Sequence, residues 1–183
     1  MEFNTAELLE ELSQKVQSHL DFANSLQLVS EAQLNGKKDS KSWSALECLE
    51  HLNLYGHFYI PEIKKRMNAS SASASATFKS GRLGNKFAND MLPKKGMKTM
   101  KTFKNKNPIH SKLEASKVLG TFVQQQHEFL KLLQQAESKN LTKIKTAITL
   151  PLLKLRLGDT FRFVIYHNER HVVQAKNALN SQK

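Results

Sequence analysis

Four stretches of this chain repeat apolar residues at three- and four-residue intervals, the period that puts side chains on one face of an α-helix. Leu8, Leu9, Leu12, Val16, Leu20 and Ala23 predict a helix over residues 5 to about 24, with Asn4 and Glu7 as a capping pair. Asn35 to Ser40 is a turn-rich break. Ser44 and Glu47 then form S-x-x-E, a capping box for a second helix with the stripe Leu46, Leu49, Leu52, Tyr55 and Tyr59. Pro61 lacks an amide hydrogen and is expected to kink or end that helix near Tyr59. Ser111 and Glu114 repeat the S-x-x-E signal before a third stripe, Leu119, Phe122, Val123, Gln126, Leu130 and Leu133, running to about Ser138. Residues 139–158 hold the apolar run Leu150-Pro151-Leu152-Leu153, expected to cover one end of the fold. Asp159 is the expected N-cap of a last helix whose face carries Phe161, Val164, His167, Asn168, His171, Ala175 and Ala178. Four amphipathic helices and no convincing strand predict an all-α four-helix bundle. With 183 residues, 39% of them hydrophobic, one core is affordable, so residues 1–183 read as a single domain.

The connection between the second and third helices, residues 68–110, is far too long for a simple antiparallel turn. Such length lets the chain cross over, so that the third helix can run parallel to the second. Its first part, Ala69 through Ala76, alternates Ala and Ser and is expected to be mobile. Its second part carries Phe78, Leu83, Phe87, Met91, Leu92, Met97, Met100 and Phe103, which can pack on the domain surface as a partly ordered loop. Residues 64–112 hold thirteen Lys and Arg against one acid, Asp90, and the rest of the chain balances fifteen bases with fifteen acids. The whole net charge of +12 therefore sits in this basic crossover. Such a patch can attract anions, but only Arg66 and Arg82 are arginines and no nucleic-acid-binding motif accompanies them. A solvated connection kept soluble by lysine is the expectation.

No apolar run approaches the ~20 residues of a membrane span. The start, Met1-Glu2-Phe3-Asn4-Thr5, carries acid where a secretory signal carries base. Cys48 is the single cysteine, so no intrachain disulfide can form. A cytoplasmic protein is expected.

Seven histidines remain. His167 and His171 are four apart on a helical segment, with Cβ atoms roughly 5–6 Å from each other. Both imidazoles can reach one ion at about 2.0–2.1 Å, although the same spacing also suits two polar residues on a helix flank. His51 sits one turn from Cys48, beside Leu52 and Tyr55, on what should be the inward face of the second helix. A buried neutral imidazole needs partners for its nitrogens, and either a shared metal or a nearby hydroxyl or carbonyl supplies one. His19 and His127 have polar neighbours and are expected at the surface. His110 precedes a helix cap, and His57 follows His51 by about 240° of helical rotation and should point elsewhere.

Trp43-Ser44-x-x-Glu47-x-x-Glu50-His51-Leu52 resembles the start of the second helix in the DinB/YfiT-like superfamily of metal-dependent enzymes. His167-Asn168-Glu169-Arg170-His171-x-x-Gln174-Ala175 is similar to its last-helix signature. Phe78-Lys79-Ser80-Gly81-Arg82-Leu83-Gly84 through Met91-Leu92-Pro93-Lys94 resembles the crossover of a bacterial subgroup. The resemblance spans almost the whole chain. It implies an up-down-down-up bundle with long connections and a divalent ion, zinc or nickel, held by one histidine of the second helix and two of the last. Those ligands carry over as His51, His167 and His171. Relatives include S-transferases using low-molecular-weight thiols, and enzymes described as hydrolases or isomerases, so the fold alone does not choose a reaction.

Three neutral imidazoles leave a divalent ion its full charge and an open position, which suits activation of water or of a thiol. The expected function is therefore hydrolysis or S-transfer on a small-molecule substrate, with a homodimer left open. Two other readings are a non-catalytic binding module whose 64–112 segment contacts nucleic acid or an acidic partner, and a bundle that keeps its metal for structure alone. No catalytic acid or base is evident. Gln174 is placed either to hydrogen-bond a ligand or to lie at the surface, and Tyr55 is placed to line the pocket, with a core tyrosine the expected reading. Cys48, set among Leu46, Leu49 and Leu52, is not expected to be a nucleophile, because apolar burial opposes ionisation.

Overall fold

A computed structural model of the chain describes residues 1–94, 101–109 and 111–181. Six helices dominate it: α1 (Thr5–Ser25), a short α2 (Glu31–Asn35), α3 (Ala45–Asn68), α4 (Arg82–Met91), α5 (Ala115–Ala136) and α6 (Leu157–Asn180). The bundle consists of α1, α3, α5 and α6, and cross-helix pairs give their directions. Glu11 meets Tyr166, His19 meets Glu169 and Lys176 lies over Phe22, so α1 and α6 run parallel. Asn53 reaches the Val118 carbonyl while Gln125 reaches the Asn53 carbonyl and His57, so α3 and α5 also run parallel. His51 faces His171 and Tyr59 faces Phe163, which makes α3 and α6 antiparallel. The order is up-down-down-up.

The sequence signals at the helix ends met mixed outcomes. Asn4 caps α1 by accepting from the amides of Ala6 and Glu7, and Ser44 with Glu47 closes a full capping box on α3. Pro61 does not end α3, which continues to Asn68. Proline removes one intrahelical hydrogen bond, but Ile63 and Met67 beyond it are fully buried and hold the last turns in place. Ser111 does not cap α5: the helix starts at Ala115, and the Glu31 carboxylate, reaching across from α2, accepts from the Ala115 amide at 3.4 Å. Asp159 is not the N-cap of α6 either. Arg156 occupies that position, and Asp159 lies in the first turn, where its carboxylate still favours the positive end of the helix.

Asp159 instead ties down the crossover. Its carboxylate accepts from the Ser80 hydroxyl and from the Gly81 amide at 2.8 Å. Arg162, one turn on and 3% exposed, donates to Asn85 and Asn89 of α4 and lies 4.4 Å from the Phe3 ring centre. A buried guanidinium is tolerable only with such partners. Two antiparallel strand pairs, absent from the sequence reading, complete the frame. β1 (Glu2–Asn4) pairs with β2 (Thr77–Lys79), setting Phe3 opposite Phe78, and β3 (Lys145–Ala147) pairs with β4 (Lys154–Arg156). Residues 69–76, expected to be mobile, are pinned: Thr5 donates to the carbonyls of Ser75 and Ala76, and Asn140 to that of Ser73. Within the rest of the crossover Phe78 and Met91 are buried, whereas Leu83 and Phe103 are exposed; Met97 and Met100 lie outside the described residues. The run Leu150–Leu153 forms the tip of the β3–β4 hairpin. Ile144, Ile148 and Leu155 of that hairpin close the bundle end, while Leu152 points fully outward. No helix among the described residues is long and apolar enough to cross a membrane.

The core is split. One apolar cluster joins Leu8–Val16, Tyr55–Met67, Phe129–Ala136 and Phe161–Tyr166; another joins Ala23, Leu46, Leu49, Leu52, Val118, Phe122 and Val172. Between them lies a buried polar layer containing His19, His51, Asn53, Gln125, Gln126, His167, Asn168 and His171.

The α4–α6 contact makes a clear stability prediction. A Cβ at Gly84 would stand 2.6 Å from Asp159 Cβ, a side chain already held by Ser80 and Gly81. Gly84→Ala should therefore destabilise the fold by about 1–3 kcal/mol. Gly120→Ala on α5, where a Cβ meets nothing within 4 Å, should be neutral or stabilise by up to about 1 kcal/mol. Urea denaturation of both variants checks the pair.

Candidate metal centre

The site is built where α3 and α6 cross the polar layer. The capping box of Ser44 and Glu47 sets the start of α3, so His51 falls on its inward face at 2% exposure. On α6, His167 is 6% exposed and His171 9%, one turn apart on the face towards α3. The structure brings together the three histidines singled out from the sequence. One ligand nitrogen from each lies within 4.8 Å of the others, and this is the one such group of three among the described residues. His51 Nε2 and His167 Nε2 are 3.2 Å apart. Two nitrogens bound to one tetrahedral ion at about 2.0–2.1 Å are separated by about 3.3 Å, so the spacing suits a shared ion.

Hydrogen bonds at the other ring nitrogens select the tautomers. His51 Nδ1–H donates to the backbone carbonyl of Lys106 at 2.6 Å, since a carbonyl can only accept. His171 Nδ1–H donates to Gln174 Oε1 at 2.9 Å. Both neutral rings therefore leave Nε2 bare, the form a metal ligand needs. His167 Nδ1 is buried with no hydrogen-bond partner, an anomaly for a polar atom in a packed interior. Three buried imidazoles with no carboxylate in the group fit a divalent ion, while the same 3.2 Å contact also suits a hydrogen bond from His167 Nε2–H to the bare His51 Nε2.

Electrostatics keep the three imidazoles deprotonated. Burial pushes the pKa of His51 down to about 4, with the Lys106 charge adding to the effect and the hydrogen bond to the Lys106 carbonyl opposing it. Burial, then the charge of His51, pushes His171 down to about 3. Burial and the two neighbouring imidazoles hold His167 well below its ordinary value. All three are free bases near neutrality. Aromatic rings wall them in: Trp43 lies 4.8 Å from His51 and 5.6 Å from His171, Tyr55 lies 4.9 Å from His51 and 4.7 Å from His167, and Phe163 stacks on His167.

The remaining candidates sort cleanly. His57 and His127 are exposed, as expected, and His110 lies outside the described residues. His19 is not at the surface: it is 1% exposed, with Nε2 3.2 Å from Glu169 Oε2. Its polar neighbours Gln17, Ser18 and Asp21 concealed that it follows the buried stripe one turn after Val16. Glu169 thus faces α1, and Arg170 donates to the Asp90 carbonyl. Gln174, which sequence left undecided, holds His171, and Tyr55 lines the site. Cys48 is fully buried against Ala45 and Ala175, and burial pushes its thiol well above the usual range.

Fold and site together define a helical bundle with a buried three-histidine cluster able to hold a divalent ion. The chain belongs to the DinB superfamily, whose family model matches residues 5–175. That match includes all three histidines. No curated protein and no solved structure matches the chain significantly.

The depressed imidazole pKa values predict how the metal-free protein responds to acid. Between the ordinary value of 6.5 and about 4, the unfolded chain binds protons that folded His51 and His171 refuse. Stability contributed by these groups is therefore complete above that window and falls as pH drops through it. Chelator-treated wild type should lose more stability between pH ~7.5 and ~4.5 than a His51→Gln, His171→Gln double variant does. Urea titration at the two pH values measures the difference, and equal losses would contradict the sign.

Proposed function

We propose that the protein is a metal-dependent enzyme in which His51, His167 and His171 hold one divalent ion, zinc or nickel, and that it acts on a small molecule by hydrolysis or thiol S-transfer. The observation that carries this reading is the convergence of three buried, neutral imidazoles whose second nitrogens are committed elsewhere or left without a partner. An ion bound there would act as a Lewis acid, lowering the pKa of a water or a low-molecular-weight thiol.

The chain's own residues supply orientation and environment. Lys106 and Gln174 hold two of the rings, and Trp43, Tyr55 and Phe163 give the site apolar walls that limit water. The positive charges of Lys106 and Arg170 add to the burial that keeps the three imidazoles neutral. Cys48 cannot take that role while its thiol stays buried and protonated.

Asp159 and Arg162 of α6 dock the crossover through Ser80 and Asn85, and we read its basic side chains as a solvated surface. A cytoplasmic setting agrees with a free thiol.

A panel of low-molecular-weight thiols against electrophilic acceptors, run beside ester and amide hydrolysis, tests the reading. Activity should disappear on chelation and return with zinc or nickel, while Cys48→Ser keeps most of it. Activity that survives complete metal removal but is lost in Cys48→Ser would overturn the proposal.

A further inference from the structure

The three-histidine cluster is made by α3 and α6, yet one of its contacts comes from neither. The 3₁₀ turn Lys104–Lys106, at the far end of the basic crossover, lies against α3. Lys106 touches that helix in three ways. Its carbonyl accepts from His51 Nδ1 at 2.6 Å, its ammonium donates to the Leu54 carbonyl at 2.6 Å, and the same ammonium sits 5.5 Å from the centre of the Tyr55 ring. Backbone and side chain of one residue thus grip a little over one turn, residues 51–55, of the helix that presents His51. The neighbouring Lys104 and Asn105 are exposed.

We propose that Lys106 is a positioning residue of the metal centre: its side chain anchors the crossover on α3 so that its carbonyl holds His51 in the Nδ1–H tautomer with Nε2 bare. This deepens the metal reading given above and rests on it for its functional meaning. Without the ammonium anchor the carbonyl has no side-chain tie to α3, and His51 Nδ1 faces the same penalty as the unpartnered Nδ1 of His167. The ring is then free to exchange its proton between the two nitrogens, and the Nε2–H form cannot bind a metal through Nε2, the nitrogen that faces His167. Outer partners of ligating histidines are worth about 10- to 100-fold in metal affinity. The crossover thereby completes the site as well as connecting two helices, and the basic residue at position 106 acts by geometry.

The experiment uses full-length protein with ¹⁵N-labelled histidine and zinc as the probe. Ring nitrogen shifts of the metal-free wild type should report His51 as Nδ1–H. Lys106→Met should show mixed tautomers at His51 and a zinc Kd raised about tenfold or more, with the tautomers of the other histidines unchanged. Lys106→Arg, which can still donate to the Leu54 carbonyl, should restore both readouts, and Lys104→Ala should leave both at wild-type values. A wild-type His51 in the Nε2–H form overturns the proposal, as does a Lys106→Met protein with wild-type tautomer and zinc affinity. Failure of wild type to bind zinc is a different result. It removes the metal reading, while the tautomer comparison still decides whether Lys106 positions His51.

Discussion

The layer of buried polar side chains across the middle of the bundle is the constraint around which the rest is arranged. Burying an imidazole, an amide or a carboxamide without a partner costs about 1–3 kcal/mol each, so a helix bundle places such groups there only with a network or a ligand to receive them. Here Asn168 donates to Gln126, Asn53 and Gln125 bond backbone carbonyls, and His19 pairs with Glu169. At the three central histidines, His51 and His171 turn Nδ1–H outward and leave Nε2 bare, and the 3.2 Å between His51 Nε2 and His167 Nε2 suits either a shared cation or a hydrogen bond donated by His167.

The up-down-down-up order follows from the same requirement. His51 must meet both His167 and His171, which sit one turn apart, and an antiparallel α3–α6 crossing at mid-length delivers that. Running α5 parallel to α3 then demands a chain return across the full bundle length. The basic crossover makes that return in two anchored stages. Asp159 and Arg162 fix its first half on α6, and Lys106 fixes its last turn on α3. Among the described residues the basic side chains of this segment are mostly exposed, with Lys106 turned to a specific contact.

Much of this was legible beforehand, and the exceptions have physical causes. Helical periodicity located all four bundle helices, and the Ser44–Glu47 box marked the start of α3 to the residue, because both signals are local. The S-x-x-E at Ser111 and Glu114 misled for the opposite reason: Glu31, distant in sequence, reaches the first turn of α5 instead. Pro61 was read by its intrinsic cost, but packing of Ile63 and Met67 outweighs one lost hydrogen bond. The strand pairs are three residues each and carry no period long enough to recognise. At the site, the i,i+4 pair and the inward His51 were visible, and the family signatures joined them. What the sequence could not disclose were long-range partners, namely the Lys106 carbonyl behind His51 and Glu169 beside His19.

The central claim is that one divalent ion sits among His51, His167 and His171. Elemental analysis of protein reconstituted with zinc or nickel, for wild type and for His51→Ala and His171→Ala, tests it most directly. The account predicts one ion per wild-type chain and comparable weakening in both variants, since each removes one of three ligands. A wild type that fails to load where control metalloproteins do, or a His51→Ala variant with undiminished affinity, would contradict it.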